Sequence, residues 1–443
     1  MTDIANRAYN HSFRIDPIIR SPLDTDFYKL LMQQLFWKLY RDVPVTFRLI
    51  NRSRRVALAR EIDIEELVEQ LDHVRTLRFS ESELVWLAGN RFYGRRDIFC
   101  PDFIEFLRGW QAPEYRLESD GEQFVLTFEG AWPVVTLWEI YALSIINTLR
   151  NRGRMSRDPS RRTGLARLSR YELDKLYTSA KTKLWAKLEL LKPLEGLALA
   201  DFGTRRRHDF LWQEWAVLAL REELGSSFIG TSNALLAFRH GLDAIGTNAH
   251  EFPMVLACLA GEDDEALAES PYQALEDWFS IYQGDLRVFL PDTFGTTGFL
   301  NRAPYWAAEW TGMRVDSKDP FVAGEEAISW WREHGHDPLT KRLLFSDGLD
   351  ATDIAALHAR FSGRIRVGFG WGTLLTNDFR GCHPHGLADL DPISLVCKVS
   401  EAAGRPAVKL SDNLTKATGP KAEIERYKRV FGHGDTTATD VVV

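Results

Sequence analysis

The feature that most constrains this chain is the alternation that begins near Leu197. Seven short apolar segments, at 197–202, 227–230, 243–246, 286–291, 313–317, 342–345 and 365–369, are separated by helical stretches. Parallel strands need crossover connections, so this rhythm predicts a parallel sheet covered by helices. Seven strands so close together favour closure into a barrel. An open doubly wound sheet shows the same alternation, because periodicity does not decide closure.

The first 135 residues read differently. Asp24 and Thr25 offer caps to a helix whose apolar face is Phe27, Tyr28, Leu31, Met32, Leu35, Phe36, Leu39 and Tyr40. Val45, Phe47 and Leu49 alternate with Thr46 and Arg48 as in a strand. Helices follow at 61–77 and 81–87. Segments 115–118 and 124–128 then flank Ser119-Asp120-Gly121-Glu122, a hairpin signal. Segments 393–399 and 405–410 flank Ala402-Ala403-Gly404 as a second hairpin, which we assign to the first module. The expected architecture is an irregular TIM-like α/β barrel (136–390) plus an N-terminal α+β sandwich domain (1–135), completed by the C-terminal tail (391–443).

Composition narrows the function. A net charge of −7 gives no global basic footprint for nucleic acid. The local run Arg150, Arg152, Arg154, Arg157, Arg161 and Arg162 reads as a solvated loop between helices. Cys100, Cys258, Cys382 and Cys397 form no CxxC pair, which argues against a disulfide framework or a zinc module. Cys382, His383 and His385 read as loop residues rather than metal ligands. No apolar run reaches the ~18 residues a membrane span needs, and no signal-type core follows Met1. These features predict a cytoplasmic protein with neither nucleic-acid nor membrane partners.

The unusual polar residues stand just after the expected strands, where parallel α/β folds build their sites. Arg205, Arg206 and Arg207 beside Gly203-Thr204 suit an anion, although a surface turn would look the same. Gly230-Thr231-Ser232-Asn233 and Gly246-Thr247-Asn248-Ala249-His250-Glu251 are strand-to-helix turns that free N–H groups for anions. Asp292, and Asp316 within Arg314 to Pro320, can hold magnesium or ribose hydroxyls, but Asp is also a common helix cap. Phe345-Ser346-Asp347-Gly348 and Phe369-Gly370-Trp371-Gly372-Thr373 supply the glycine-rich turns that bind phosphate after the last strands of a barrel. Taken in order, the seven turns point to a phosphate-bearing substrate.

These motifs, together with Asp24-Thr25-Asp26-Phe27-Tyr28-Lys29 and Lys409-Leu410-Ser411-Asp412, resemble the nicotinate phosphoribosyltransferases. The resemblance implies transfer of phosphoribosyl from phosphoribosyl pyrophosphate to nicotinate in NAD synthesis. It implies magnesium, and ATP as co-substrate through a phosphohistidine at His250. It also implies a homodimer with shared sites, the pyridine ring stacked between Phe202 and Tyr28 of the neighbouring subunit. Arg314 and Asp316 take catalytic roles in that reading. Arg205, Thr231, Ser232, Ser346, Gly348, Gly370, Gly372 and Thr373 contact substrate or phosphate, and Asp292 lies near the magnesium. Phe252, Val315, Lys318, His208 and Asp209 depart from the family's commoner residues. A nicotinamide-specific relative carries Asp at the position of Ser232, so Ser232 favours the acid. Quinolinate phosphoribosyltransferases are shorter and lack the histidine turn. A barrel glycoside hydrolase could use Asp292 and Asp316, but leaves the arginine and glycine turns unexplained. A non-catalytic binding protein with this fold stands as a further alternative, one that gives no reason for His250, Arg314 and Asp316 to occur together.

Overall fold

The computed structural model describes residues 17–53, 56–155, 168–282, 286–386 and 390–432. Helix α1 (Phe27–Leu39) opens the fold and is buried nearly all round, Lys29, Gln33 and Gln34 included. Its cap differs from expectation. Asp26 is the N-cap residue and makes no capping bond, because the nearby carboxylates are spent on contacts to distant turns. Strand β1 (Pro44–Asn51) buries Val45, Phe47 and Leu49. The expected helix at 61–77 is two helices, Leu58–Glu61 and Ile64–Thr76. The break falls at Asp63, whose carboxylate accepts from the Glu65 and Glu66 N–H groups and restarts the helix. The hairpin of β2 (Tyr115–Ser119) and β3 (Phe124–Ala131) forms as expected.

Helix α2 (Trp138–Arg154) corrects the basic-loop reading. Arg150, Arg152 and Arg154 lie on this helix, and the first two are buried. Arg150 Nε meets Glu61 Oε2 at 3.1 Å and Arg152 Nη1 meets Glu66 Oε1 at 2.9 Å, while Arg154 pairs with Glu61. The arginines tie α2 to the two short helices before it. Arg157, Arg161 and Arg162 lie outside the described residues.

Strands β4 (Leu199–Asp201), β5 (Phe228–Thr231), β6 (Val288–Phe289), β7 (Gly312–Val315), β8 (Arg342–Phe345) and β9 (Arg366–Trp371) form a parallel sheet in the order β5-β4-β9-β8-β7-β6. Helix α3 (Glu251–Leu259) follows the third expected segment. That segment, 243–246, is not a ladder strand and joins β5 through one parallel bridge, Thr231 to Ala244. Asp243, Ala244 and Gly246 leave it one strand-forming residue, Ile245, too few for a ladder. The gap between it and β6 is spanned by Asn248 Nδ2 donating to Val288 O at 3.1 Å. The barrel is therefore irregular, with its hydrogen-bonded ladder open at this seam.

The tail strands β10 (Leu395–Ala402) and β11 (Arg405–Pro406) return to the antiparallel sheet, ordered β11-β10-β1-β3-β2. Ala403 and Gly404, both at positive φ, make the two-residue turn between them. Helix α4 (Lys421–Phe431) packs Tyr427 and Phe431 on Phe294. The four cysteines are free, and no described helix is long and apolar enough to cross a membrane.

The segment before α1 is pinned to the barrel. Arg207 Nη1 and Nη2 donate to Asp24 Oδ1 and Oδ2 at 2.7 and 2.8 Å, with both side chains fully buried. Asn233 Nδ2 donates to the same carboxylate at 2.9 Å, and Phe27 N to Ser232 O at 2.6 Å. Removing one partner of such a pair strands the other. Asp24→Ala is therefore expected to cost about 3–5 kcal/mol in urea unfolding, and a loss within error of a surface substitution would refute the anchoring role.

Candidate active site

The ends of the parallel strands, the start of α1 and the tail converge on one cavity of about 140 Å³. Among the residues expected there, Tyr28, Phe202, Arg205, His250, Arg314, Asp316, Ser346, Gly348, Gly372 and Thr373 line it. Thr231, Ser232, Asp292 and Gly370 do not. Thr231 is fully buried, and its hydroxyl donates to Asp201 Oδ2 at 2.7 Å. Gly370 acts by giving way: a Cβ there would stand 2.2 Å from the Phe202 ring. Ser232 faces an adjoining cavity of about 570 Å³ inside the barrel, which shares Tyr28, Phe202, Arg205 and Arg314 with the first.

His250 stands at the N-cap of α3. Its Nδ1 lies 2.9 Å from Thr293 Oγ1. Its Nε2 lies 3.0 Å from Asp316 Oδ2 and 2.9 Å from Lys409 Nζ. Burial lowers its pKa to about 4, with Lys409 adding to that while Asp292 and Asp316 oppose it. Asp316 is held well below the usual carboxylate range. Burial pushes it up, but the Arg314 guanidinium and His250 outweigh that. Arg314 is fixed on three sides: Nε donates to Ser346 Oγ at 2.8 Å, Nη2 to Asp316 Oδ1 at 2.9 Å and Nη1 to Asn248 O at 3.4 Å. Arg205 is held more loosely, 3.4 Å from Glu139 and 3.6 Å from Asp26.

His250, Asp292 and Asp316 offer ligand atoms all within 4.8 Å of one another, and Asp292 Oδ1 is buried without a hydrogen-bond partner. Two carboxylates and an imidazole fit a divalent cation. Cys382, His383 and His385 form no such group among the described residues.

Arg206, read from the sequence as part of an anion-binding triplet, and Lys409 join Arg205 and Arg314 around the cavity, against Glu139, Glu251, Asp316 and Asp347. Arg52, Lys398 and Lys416 also line it and were not singled out by the sequence. Burial, then Lys409 and Arg52, push Lys398 well below the usual lysine range; burial and Arg205 bring Arg206 down to about 10. The cations around the cavity outnumber its carboxylates, an arrangement that suits an anionic ligand. Lys398 and Lys416 sit in no recognisable turn, so only the return of β10 to β1 could have revealed them.

The Nicotinate phosphoribosyltransferase (NAPRTase) family model matches residues 197–435, more than half of the chain, and the model of that family's N-terminal domain matches residues 23–147. The chain belongs to the nicotinate phosphoribosyltransferase family. A solved nicotinate phosphoribosyltransferase from Vibrio cholerae is 30% identical, with a TM-score of 0.81 and 94% of each chain covered. One from Porphyromonas gingivalis is 28% identical, with a TM-score of 0.80, covering 94% of this chain and 100% of that one.

Tyr28, which the resemblance gives to the neighbouring subunit's site, lines the cavity of its own chain beside Phe202, where Asp26 and Phe27 bond to Ser232. The Ser232 hydroxyl donates to Asp26 Oδ1 at 2.7 Å, so a carboxylate stands beside the position that the resemblance ties to base choice.

His250 is neutral in the folded protein above its lowered pKa, so its NMR resonances are expected not to titrate between about pH 8 and 5; a midpoint above about 6 would contradict the buried geometry. Tyr28→Ala and Arg314→Ala fall in one chain's site, so co-refolding the two variants is expected to restore no activity beyond that of the separate proteins. Recovery in mixed dimers would return Tyr28 to the neighbouring subunit.

Proposed function

We propose that this protein transfers 5-phosphoribosyl from phosphoribosyl pyrophosphate to nicotinate, giving nicotinate mononucleotide and diphosphate, and couples the transfer to ATP hydrolysis through phosphorylated His250. The observation that carries the reading is a neutral histidine, flanked by Lys409, Thr293 and Asp316, in the wall of a cationic cavity. Family membership supplies the reaction class.

The transfer is a displacement at the anomeric carbon. The pyridine nitrogen is already nucleophilic, so a bond forms from N to C1 as the C1–O bond to diphosphate breaks, and no general base is required. The residues act by positioning and electrostatics. Phe202 and Tyr28 sandwich the ring. Arg205 and Arg314, at the junction of the two cavities, meet the nicotinate carboxylate and favour it over an amide. Asp316 holds the ribose hydroxyls. Gly348, Gly372 and Thr373 hold the 5′-phosphate, Gly348 using a positive φ of 60°. Lys398, Lys409, Lys416, Arg52 and Arg206 receive the diphosphate. Asp292 and Asp316 would hold magnesium, which neutralises the leaving diphosphate when bound.

For the energy-coupled half, the neutral imidazole Nε2 attacks the γ-phosphorus of ATP; the N–P bond forms as the P–O bond to ADP breaks. Lys409, already beside Nε2, pairs with the transferred phosphoryl.

The test is an assay of purified protein with magnesium, phosphoribosyl pyrophosphate and either nicotinate or nicotinamide, with and without ATP. Nicotinate is expected to be strongly preferred. His250→Ala is expected to lose ATP hydrolysis and acid-labile phosphate on the protein while keeping a weak, ATP-independent transfer. Equal kcat/KM for the two bases would refute the substrate assignment, and acid-labile phosphate on His250→Ala the histidine.

A further inference from the structure

Against one wall of the cavity lies a charge cluster, Lys29 with Glu139 and Glu251, to which the reaction above assigns no role. Lys29 is fully buried, and its Nζ meets Glu139 Oε2 at 2.6 Å, Thr136 Oγ1 at 3.2 Å and the carboxylate of Glu251. The other oxygen of Glu251 accepts from Trp132 Nε1 at 2.6 Å and Thr136 Oγ1 at 2.7 Å. Glu139 Oε1 in turn meets Arg205 Nη1 at 3.4 Å. Two of these residues adjoin the chemistry by a peptide bond. Lys29 follows Tyr28, and Glu251 follows His250 at the start of α3.

We propose that Lys29 links the two halves of the site, so that filling the base pocket sets how readily His250 takes phosphate from ATP. The proposal rests on the ATP-coupled reading above. Its path runs from Arg205 through Glu139, Lys29 and Glu251 to His250. A base carboxylate arriving at Arg205 draws the guanidinium away from Glu139. Glu139 then keeps a larger share of Lys29, and Glu251 a smaller one. In a water-poor interior such an exchange between partners is felt strongly, because little solvent screens it. Glu251 belongs to the first turn of α3, on which His250 stands, so a change in its bonding re-aims the imidazole. Stacking of the base on Tyr28 acts on the same lysine through the backbone of α1. An ion pair that merely held α1 on α3 would not need to reach Arg205; this one does, through Glu139.

Lys29, Glu139 and Glu251 are thus positioning residues, and their signature is the coupling between two reactions rather than either rate alone. Glu251→Gln and Glu139→Gln each leave Lys29 one carboxylate, so the fold retains a partner for the buried cation. Each is assayed for ADP and nicotinate mononucleotide, with and without nicotinate, alongside the wild-type protein and a thermal melt. In both variants the stimulation of ADP release by nicotinate is expected to fall at least about fivefold, and the ADP released per mononucleotide to rise by a similar factor. Variants that melt like the wild type and keep both ratios within about twofold would reduce the pair to a structural clamp and overturn the proposal. A wild-type protein that hydrolyses no ATP removes the function reading, and the proposal with it. Nicotinate-stimulated wild type beside unchanged variants removes the proposal alone.

Discussion

The structure hangs on the bidentate pair of Asp24 and Arg207. Both groups are removed from water, and each is satisfied by the other: burial would raise the Asp24 pKa, but the Arg207 guanidinium and the Asn233 amide pull it below its usual value. A buried pair of this kind contributes little net stability over apolar packing, but it is intolerant of losing a member and so specifies one arrangement. What it specifies is the docking of the first helix on the turns after β4 and β5. Tyr28 reaches the cavity, and Lys29 the interior behind it, because Asp24 at the foot of the helix cannot sit elsewhere.

From that anchor the electrostatics follow. The first helix carries Lys29 into the interior, where two glutamates must meet it, and the tail carries three lysines to the opposite wall. The cavity is left with more cations than carboxylates, and Lys398 and Arg206 hold their protons less firmly than in water. An excess of cations of this kind complements a polyanion. The same desolvation lowers the His250 pKa to about 4 and so favours the neutral imidazole.

The turns were legible because each is local: a strand end, a glycine and a polar residue adjacent in sequence. His250, Arg314, Asp316, Phe202 and Arg205 were found this way, and all line the cavity. Contacts between distant segments were not legible. Thr231 looks like an anion-binding hydroxyl until Asp201 claims it, and Arg150 looks solvated until Glu61 appears beside it. Helix α1 misled in a further way. An apolar stripe predicts one buried face, but a helix packed on every side buries its glutamines too, with Gln34 donating to Ile98 O and Tyr282 OH. Closure of the barrel was beyond periodicity because the seam depends on one asparagine, Asn248, rather than on a strand.

The C-terminal tail shows why fold and chemistry cannot be assigned to separate segments here. The Thr293 carbonyl accepts from Leu410 N at 3.0 Å and Ser411 N at 3.1 Å, while its hydroxyl meets His250 Nδ1. Ser411 takes a left-handed conformation, φ 68°, uncommon for a residue with a Cβ and tolerated where surrounding bonds over-determine it. This clamp sets Lys409 beside Nε2. A lysine ammonium has donors only, so its contact requires the lone pair on Nε2 and leaves the proton on Nδ1, directed at Thr293. Asp316 Oδ2, 3.0 Å from the same Nε2, would favour the opposite tautomer. Arg314 weakens that claim by holding the other Asp316 oxygen. Lys409 from the tail and Asp316 from the barrel thus make opposite demands on one nitrogen, and the tautomer of His250 is set by both elements together.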